Sequence, residues 1–179
     1  MARFGMAIDT AKCVGCMDCV VACKTENSVP EGFNRDWITY DSMGTFPTLH
    51  LEIRSERCNH CDTPPCVDCC PTGASHVNEF GSIVLVEHDL CIGCKACVAS
   101  CPYDARFIHP DGYADKCTFC IHRVEKGLEP ACVAVCPTYC MTFGDLDDPN
   151  SSINRLLNSR KNHALLKDAG TQPRIYYLT

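Results

Sequence analysis

The sequence predicts an α+β fold in which one small unit is used twice, with short strands and short helices between cysteine-rich loops. Two observations support this prediction. Sixteen of the 18 cysteines among the 179 residues fall into four groups of four. The groups repeat in the order A-B-A′-B′, which is the pattern that duplication of a two-group unit leaves in a sequence.

The repeat is visible in the residues around the groups. The first and third align as IDTAKCVGCMDCVVAC and VEHDLCIGCKACVASCP, both with the spacing C-x2-C-x2-C-x3-C. The second and fourth align more loosely, as RCNHCDTPPCVDCCPTGA and KCTFCIHRVEKGLEPACVAVCPTYC. The groups are Cys13, Cys16, Cys19 and Cys23; Cys58, Cys61, Cys66 and Cys70; Cys91, Cys94, Cys97 and Cys101; and Cys117, Cys120, Cys132 and Cys136.

Strand and helix patterns lie between and beside these groups. Alternating or β-branched residues predict strands over 3–9, 48–54, 82–87 and 174–178. Helical spacing predicts a helix over 17–27, and the N-cap oxygens offered by 150–152 predict another over 151–160. Residues 27–47 are interpreted as a loop-rich insert that could equally face a partner.

Composition excludes several classes. A formal charge of −6 argues against a nucleic-acid interface, which needs a basic face. The longest uncharged stretch, residues 130–144, is interrupted by Pro137 and is shorter than the roughly 20 apolar residues that span a bilayer. Residues 1–12 contain no apolar run of signal length and no twin-Arg pair. We therefore expect a soluble or peripheral chain.

The cysteine spacing is typical of cubane iron–sulfur ligation. Three cysteines at two-residue intervals wrap a loop around three corners of a cubane, and the fourth reaches the other cluster of the pair. The sixteen grouped cysteines are thus predicted to hold four [4Fe–4S] clusters in two ferredoxin-like domains. Each filled site adds a charge of about −2, which takes the total to about −14. Lys95, Arg106 and Lys116 are candidates to compensate this charge, with ordinary surface charge as the alternative.

Other chemistries fit the cysteines less well. Zinc ribbons use two C-x2-C pairs per tetrahedral site, without a fourth-position Cys-Pro. A disulfide framework does not require C-x2-C-x2-C loops, and thioredoxin-like chemistry uses one isolated C-x-x-C. The two remaining cysteines, Cys69 and Cys140, are interpreted as buried free thiols, with an alternative-ligand or regulatory role left open. Spacing alone permits pairing of group one with two, or of two with three.

Longer motifs resemble a known family. They include MAIDTAKCVGCMDCVVACKTENSVPEG, CPYDARFIHP, DKCTFCIHRVEKG, PACVAVCPTYCMTFGDLDDP and GTQPRIYYL. These motifs are similar to the four-cluster electron-transfer subunit of dimethyl sulfoxide reductase-type molybdopterin oxidoreductases, most closely that of polysulfide reductase. The resemblance implies four ligand sets: Cys13, Cys16, Cys19 and Cys136; Cys117, Cys120, Cys132 and Cys23; Cys58, Cys61, Cys66 and Cys101; and Cys91, Cys94, Cys97 and Cys70. Some relatives have Trp at the position of Cys94 and a three-iron cluster; Cys94 favours [4Fe–4S].

The resemblance also implies a domain division and a role. One ferredoxin-like domain comprises residues 1–47 and 103–145, the other comprises 48–102, and 146–179 form a helix and strand that pack on the core or a partner. The expected role is non-catalytic: single electrons pass between a quinone-binding integral membrane subunit and a catalytic molybdopterin-guanine-dinucleotide subunit. No nucleic acid and no substrate of its own are expected.

By the same analogy, the chain is expected on the periplasmic face of the cytoplasmic membrane, exported folded with a twin-Arg-signalled partner. Two alternatives from other classes remain: a free-standing polyferredoxin, and a zinc-binding scaffold. The sequence leaves open the terminal acceptor (polysulfide, thiosulfate, tetrathionate, arsenate or sulfoxide), the direction of electron flow, the cluster potentials and the copy number of the complex.

Overall fold

A computed structural model describes residues 2–179. Within them the strands are β1 (Phe4–Asp9), β2 (Asp36–Met43), β3 (His50–Arg57), β4 (Ser75–Val77), β5 (Val84–Val86), β6 (Phe107–Ile108), β7 (Ala114–Asp115), β8 (Met141–Asp145), β9 (Asn162–His163) and β10 (Ile175–Leu178). The helices are α1 (Asp18–Glu26), α2 (Pro65–Asp68), α3 (Ala96–Ala99), α4 (Ile121–Val124), α5 (Ala131–Ala134) and α6 (Ser152–Ser159). None of these helices is both long and apolar enough to cross a membrane.

The largest sheet joins the two ends of the chain. Its order is β8-β1-β10-β9, with β1 antiparallel to β8 and parallel to β10. Met6, Ile8 and Ile175 are completely buried because these strands are covered on the side of the cysteine loops. The strands predicted over 3–9 and 174–178 are confirmed.

A long hairpin leaves the region of the first cysteine group. Strands β2 and β3 pair over eight residues, from Asp36 opposite Arg57 to Met43 opposite His50. The interpretation of 27–47 as a loop-rich insert therefore missed β2. The polar residues that interrupt this strand hid its alternation, and the eight cross-strand partners on β3 supply the hydrogen bonds that a single-strand pattern cannot show.

Packing of the short helices brings the cysteine groups together in pairs. Helix α1, which carries group one, packs against α5 of group four, and α2 of group two packs against α3 of group three. The sequence left this pairing open; the helix contacts favour one with four and two with three. The two-stranded sheets β4–β5 and β6–β7 lie beside groups two and three.

The C-terminal segment packs on the large sheet. Helix α6 begins after Ser151, whose hydroxyl accepts a hydrogen bond from the Asn154 amide at 3.3 Å, so the predicted N-cap is confirmed. Ile153 is completely buried against Ala7 and Leu178. The hairpin β2–β3 spans residue 47, where the sequence suggested a domain boundary, and the domain division stays a prediction.

Candidate metal centres

Three sets of four cysteines each surround a separate cavity. Quartet 1 is Cys13, Cys16, Cys19 and Cys136; quartet 2 is Cys58, Cys61, Cys66 and Cys101; quartet 3 is Cys70, Cys91, Cys94 and Cys97. The three spaces are similar in extent. In each, three cysteines come from one group and one from its partner group.

The remaining four grouped cysteines form quartet 4, which consists of Cys23, Cys117, Cys120 and Cys132. All four are buried. The Asn27 side-chain amide lies 3.6 Å from Cys23 Sγ and 3.7 Å from Cys120 Sγ, so it bridges the α1 cysteine to group four. Each quartet contains the residues that the family resemblance implied for one cluster, and their ligand roles stay a proposal.

The backbone of the cysteine loops repeats between groups one and three. In group one, Gly15 and Met17 have φ of +69° and +66°; in group three, Gly93 and Lys95 have φ of +64° at both positions. These left-handed residues turn the chain around the cavity before the helix begins. Backbone amides also point at sulfur: Ala114 N lies 3.3 Å from Cys91 Sγ. Such donors stabilise a thiolate.

Substitution of Gly93 by alanine is expected to remove one cluster. A Cβ at Gly93 would lie 2.3 Å from the Gly112 carbonyl oxygen, a contact that forces the quartet 3 loop to move. Anaerobic iron analysis should fall from about sixteen to about twelve irons per chain. Gly127→Ala is the matched control, because Gly127 also has positive φ but open space around it; its cost should be about 1–2 kcal/mol, with full iron content. Full iron in Gly93→Ala would contradict the expectation.

Buried cations contact the cysteine sulfurs. Arg57 Nη1 donates to Cys132 Sγ at 2.9 Å, and Arg106 Nη2 donates to Cys66 Sγ at 2.9 Å. The Nε atoms of both arginines and Nη1 of Arg106 are buried without a protein acceptor. Because buried donors are almost always paired, these orphaned N–H groups fit an anionic acceptor inside the protein. A [4Fe–4S] core bound by thiolates is such an acceptor, and Arg106 also lines the quartet 2 cavity.

Burial controls the titration of the deepest thiols. It raises the pKa of Cys61 and of Cys117 to about 12 and that of Cys132 to about 11. It also raises the pKa of Cys23. These cysteines are therefore neutral thiols until a metal is present to stabilise the thiolates.

The cysteines of quartets 1 to 3 surround a space instead of converging on one point. Among residues 2–179, no three His, Cys, Asp or Glu side chains converge closely enough to hold a single metal ion, and every cysteine is a free thiol. A structural zinc needs four ligand atoms within about 2.3 Å of one point. The quartets instead surround volumes, which suits a multi-atom cluster.

The two surplus cysteines differ from one another. Cys140 lines the quartet 1 cavity, and its Sγ lies 3.4 Å from Cys136 Sγ. Its hydrogen bond to Cys13 lowers the pKa of Cys13, while the pKa of Cys140 itself is raised. Cys69 Sγ lies 3.3 Å from the Ser100 hydroxyl. Cys140 is buried, as the sequence suggested, whereas Cys69 is partly exposed.

The three cations that the sequence suggested as compensating the cluster charge also differ in burial. Arg106 and Lys116 are buried beside quartets, whereas Lys95 is exposed. Sequence reasoning missed Arg57, which is 1% exposed. Its position immediately before Cys58 was the available signal, but only the folded structure, in which Arg57 Nη1 donates to Cys132 Sγ, shows that its side chain lies against a cysteine of another group.

Comparisons with known proteins agree with this geometry. Two family models, each described as a 4Fe-4S dicluster domain, match residues 49–146 and 9–74. Protein NrfC of Escherichia coli (strain K12) is 46% identical over 177 residues, covering 97% of this chain and 79% of that protein. A polysulfide reductase chain of Wolinella succinogenes is 43% identical over 178 residues, covering 97% and 93%. A tetrathionate reductase subunit of Salmonella typhimurium is 42% identical over 182 residues, covering 98% and 72%.

The fold, the quartets and these matches define a protein with two 4Fe-4S dicluster ferredoxin-type domains, which hold four [4Fe–4S] clusters. More particularly, the chain belongs to the iron–sulfur electron-transfer subunits of the dimethyl sulfoxide reductase family of enzymes. Within that family such subunits are named as parts of reductases and not as the catalytic chains.

Proposed function

We propose that the chain relays single electrons between a quinone-reactive membrane subunit and a catalytic molybdopterin subunit of a reductase for sulfur compounds, of the polysulfide reductase type. The relatives named for polysulfide reductase and for tetrathionate reductase support the sulfur chemistry. The observation that carries the relay is the spatial order of the quartets, because a wire needs neighbouring clusters and two accessible ends.

Hydrogen-bonded contacts link the quartets in the order 1-4-2-3. Arg57 contacts Cys132 of quartet 4 and Ser55, and Ser55 lies 3.6 Å from Cys19 of quartet 1. Lys116 Nζ donates to the carbonyls of Cys117 in quartet 4 and of Val84, which lines the quartet 2 cavity.

The last step of the order runs through a second arginine. Arg106 donates to Cys66 of quartet 2 and, at 2.8 Å, to the Ser75 hydroxyl. The Ser75 amide in turn donates to Cys70 Sγ of quartet 3 at 3.3 Å. Every neighbouring pair in the proposed relay thus shares at least one polar bridge.

Exposure distinguishes the ends of the relay from its middle. Cys16 of quartet 1 and Cys94 of quartet 3 are exposed, whereas the cysteines of quartet 4 are buried. Exposed apolar side chains surround both ends: Val14, Met17 and Val21 beside Cys16, and Leu90 and Ile92 beside Cys94. Contiguous exposed apolar residues are typical of protein interfaces. Quartets 1 and 3 are therefore the proposed points where electrons enter and leave.

The proposed location is the periplasmic face of the cytoplasmic membrane, reached by export of the folded chain with a twin-Arg-signalled partner. Quartet 1 joins Cys13 to Cys136, and quartet 4 joins Cys23 to Cys120, which the Asn27 amide bridges. Cysteines this far apart in sequence meet only in a folded chain, so a chain that is exported with its clusters in place crosses the membrane folded. This requirement supports translocation in the folded state.

Metal analysis and co-purification test the proposal. We expect about sixteen irons and about sixteen acid-labile sulfides per chain after anaerobic purification. A colourless zinc-filled protein would contradict the cluster assignment. Gentle detergent extraction should recover the chain with a molybdenum subunit and a membrane subunit. Recovery as a stable monomer with full iron would instead favour a free-standing polyferredoxin.

A further inference from the structure

We propose that Lys116 and Arg106 set the reduction potential of the cluster in quartet 2, by placing two unpaired buried cations on either side of it. The inference rests on the proposed relay for the identity of the quartets, and it adds residues that are not ligands. Arg57, at the junction of quartets 1 and 4, is by contrast a cation that a neighbouring carboxylate neutralises.

Lys116 lies at the junction of quartets 4 and 2. It is 1% exposed, and its Nζ donates only to the carbonyls of Val84 and Cys117. The adjacent carboxylate, Asp115, is 2.8 Å from the Arg35 guanidinium and accepts from the Lys116 backbone amide. Asp115 is therefore neutralised by Arg35, and the charge of Lys116 is left to act on the quartets.

Arg106 lies at the junction of quartets 2 and 3. Its side chain is buried, contacts Cys66 and Ser75, and leaves Nε and Nη1 without a protein acceptor. Within residues 2–179, neither the Arg106 guanidinium nor the Lys116 ammonium has a carboxylate oxygen within 4.0 Å. Both charges therefore face the same quartet uncompensated.

The junction of quartets 1 and 4 has a different charge balance. Arg57 Nη2 lies 3.6 Å from Asp36 Oδ2, and both side chains are almost completely buried. Opposite charges at this distance largely cancel in their effect on a cluster beyond them. Arg174, another buried cation near quartet 2, is also paired with a carboxylate: its Nε lies 3.3 Å from Asp62 Oδ1.

The consequence for electron transfer follows from charge. Adding one electron to a thiolate-bound [4Fe–4S] core makes it one unit more negative. A nearby cation stabilises the reduced form more than the oxidised form, and burial strengthens the interaction because the effective dielectric constant is low. Removal of either unpaired cation should therefore lower the potential of the quartet 2 cluster, and removal of a buried carboxylate should raise that of its neighbours.

The test is an anaerobic redox titration of the purified holoprotein, followed by electron paramagnetic resonance. Cys66→Ala identifies the quartet 2 signal as the one it loses. In Arg106→Gln and Lys116→Gln that signal should shift to lower potential by at least tenfold in the reduction equilibrium constant, about 59 mV for one electron. Arg106→Lys, which keeps the charge, should show less than half of this shift. Lys126→Gln removes an exposed cation and should move no signal.

Asp36→Asn tests a shift of reduction potential in the opposite direction. It removes no buried cation, so it serves if the glutamine variants fail to fold. It frees the charge of Arg57 and should raise the potentials of the quartet 1 and quartet 4 clusters. The proposal is overturned if the quartet 2 signal stays within twofold in Arg106→Gln at full iron content, if all four signals move equally, or if Asp36→Asn raises none. If Cys66→Ala keeps all four clusters, the ligand quartets themselves are wrong, which is a failure of the proposed relay.

Discussion

Replacement of Cys136 by alanine should remove one complete cluster, whereas the same change at Cys140, four residues later, should remove none. Both sulfurs lie in the quartet 1 cavity, 3.4 Å apart. Only Cys136 is the fourth cysteine of a group: it follows Cys132 at the x3 spacing and precedes Pro137, and a cysteine in this place completes the site of the partner group. Anaerobic analysis of Cys136→Ala should find about twelve irons instead of about sixteen. Electron flow through the complex should cease because quartet 1 is a proposed end of the relay.

Cys140→Ala is the matched control, with the same change of side chain in the same cavity. It should keep four clusters and shift only the signal of quartet 1, since it removes a hydrogen-bond partner of Cys13 and Cys136. The ligand assignment would be reversed if Cys140→Ala lost the cluster and Cys136→Ala kept it. If both variants kept about sixteen irons, quartet 1 would not be a cluster site.

The largest loss of stability is expected for Arg174→Met. The Arg174 side chain is 1% exposed and donates to the backbone carbonyls of His60, Phe4, Gly81 and Ser82. These carbonyls belong to the first strand, the second cysteine group and the loop before β5, so one guanidinium joins three segments. Methionine fills similar volume but leaves the four carbonyls without this donor and removes one of the two cations beside Asp62, at a cost of about 3–5 kcal/mol.

The measurement is the urea concentration at which cluster absorbance is lost, under anaerobic conditions. Arg3→Met is the control, because Arg3 also pairs with Asp62, at 2.8 Å, but its side chain is 32% exposed. An exposed pair contributes at most about 1 kcal/mol, so this midpoint should move little. Equal midpoints for the two variants would show that the buried carbonyl contacts of Arg174 are not what stabilises the fold.

The cysteine spacing by itself determined the cofactor. Each group opens with a C-x2-C pair and ends with a cysteine at the x3 spacing, a pattern that depends only on neighbours in sequence, so local reasoning sufficed for four clusters and two duplicated units. The strands predicted over residues 3–9 and 174–178, and the N-cap at Ser151, could also be predicted from neighbouring residues alone. The strand at Asp36–Met43 was not, because its pairing partner lies on another strand.

Only the tertiary structure decided which cysteine groups lie together and which cations contact them. The spacing left the pairing open, and the packing of α1 on α5 and of α2 on α3 brings the cysteines of quartets 1 to 4 together. Likewise, Arg57, Arg106 and Lys116 differ little in sequence from the exposed Lys95. Their effect depends on burial and on the nearest carboxylate, which are distances in space between residues far apart in the chain. Local sequence therefore determined what the protein binds, and long-range packing decided which cysteines lie together and which charges surround them.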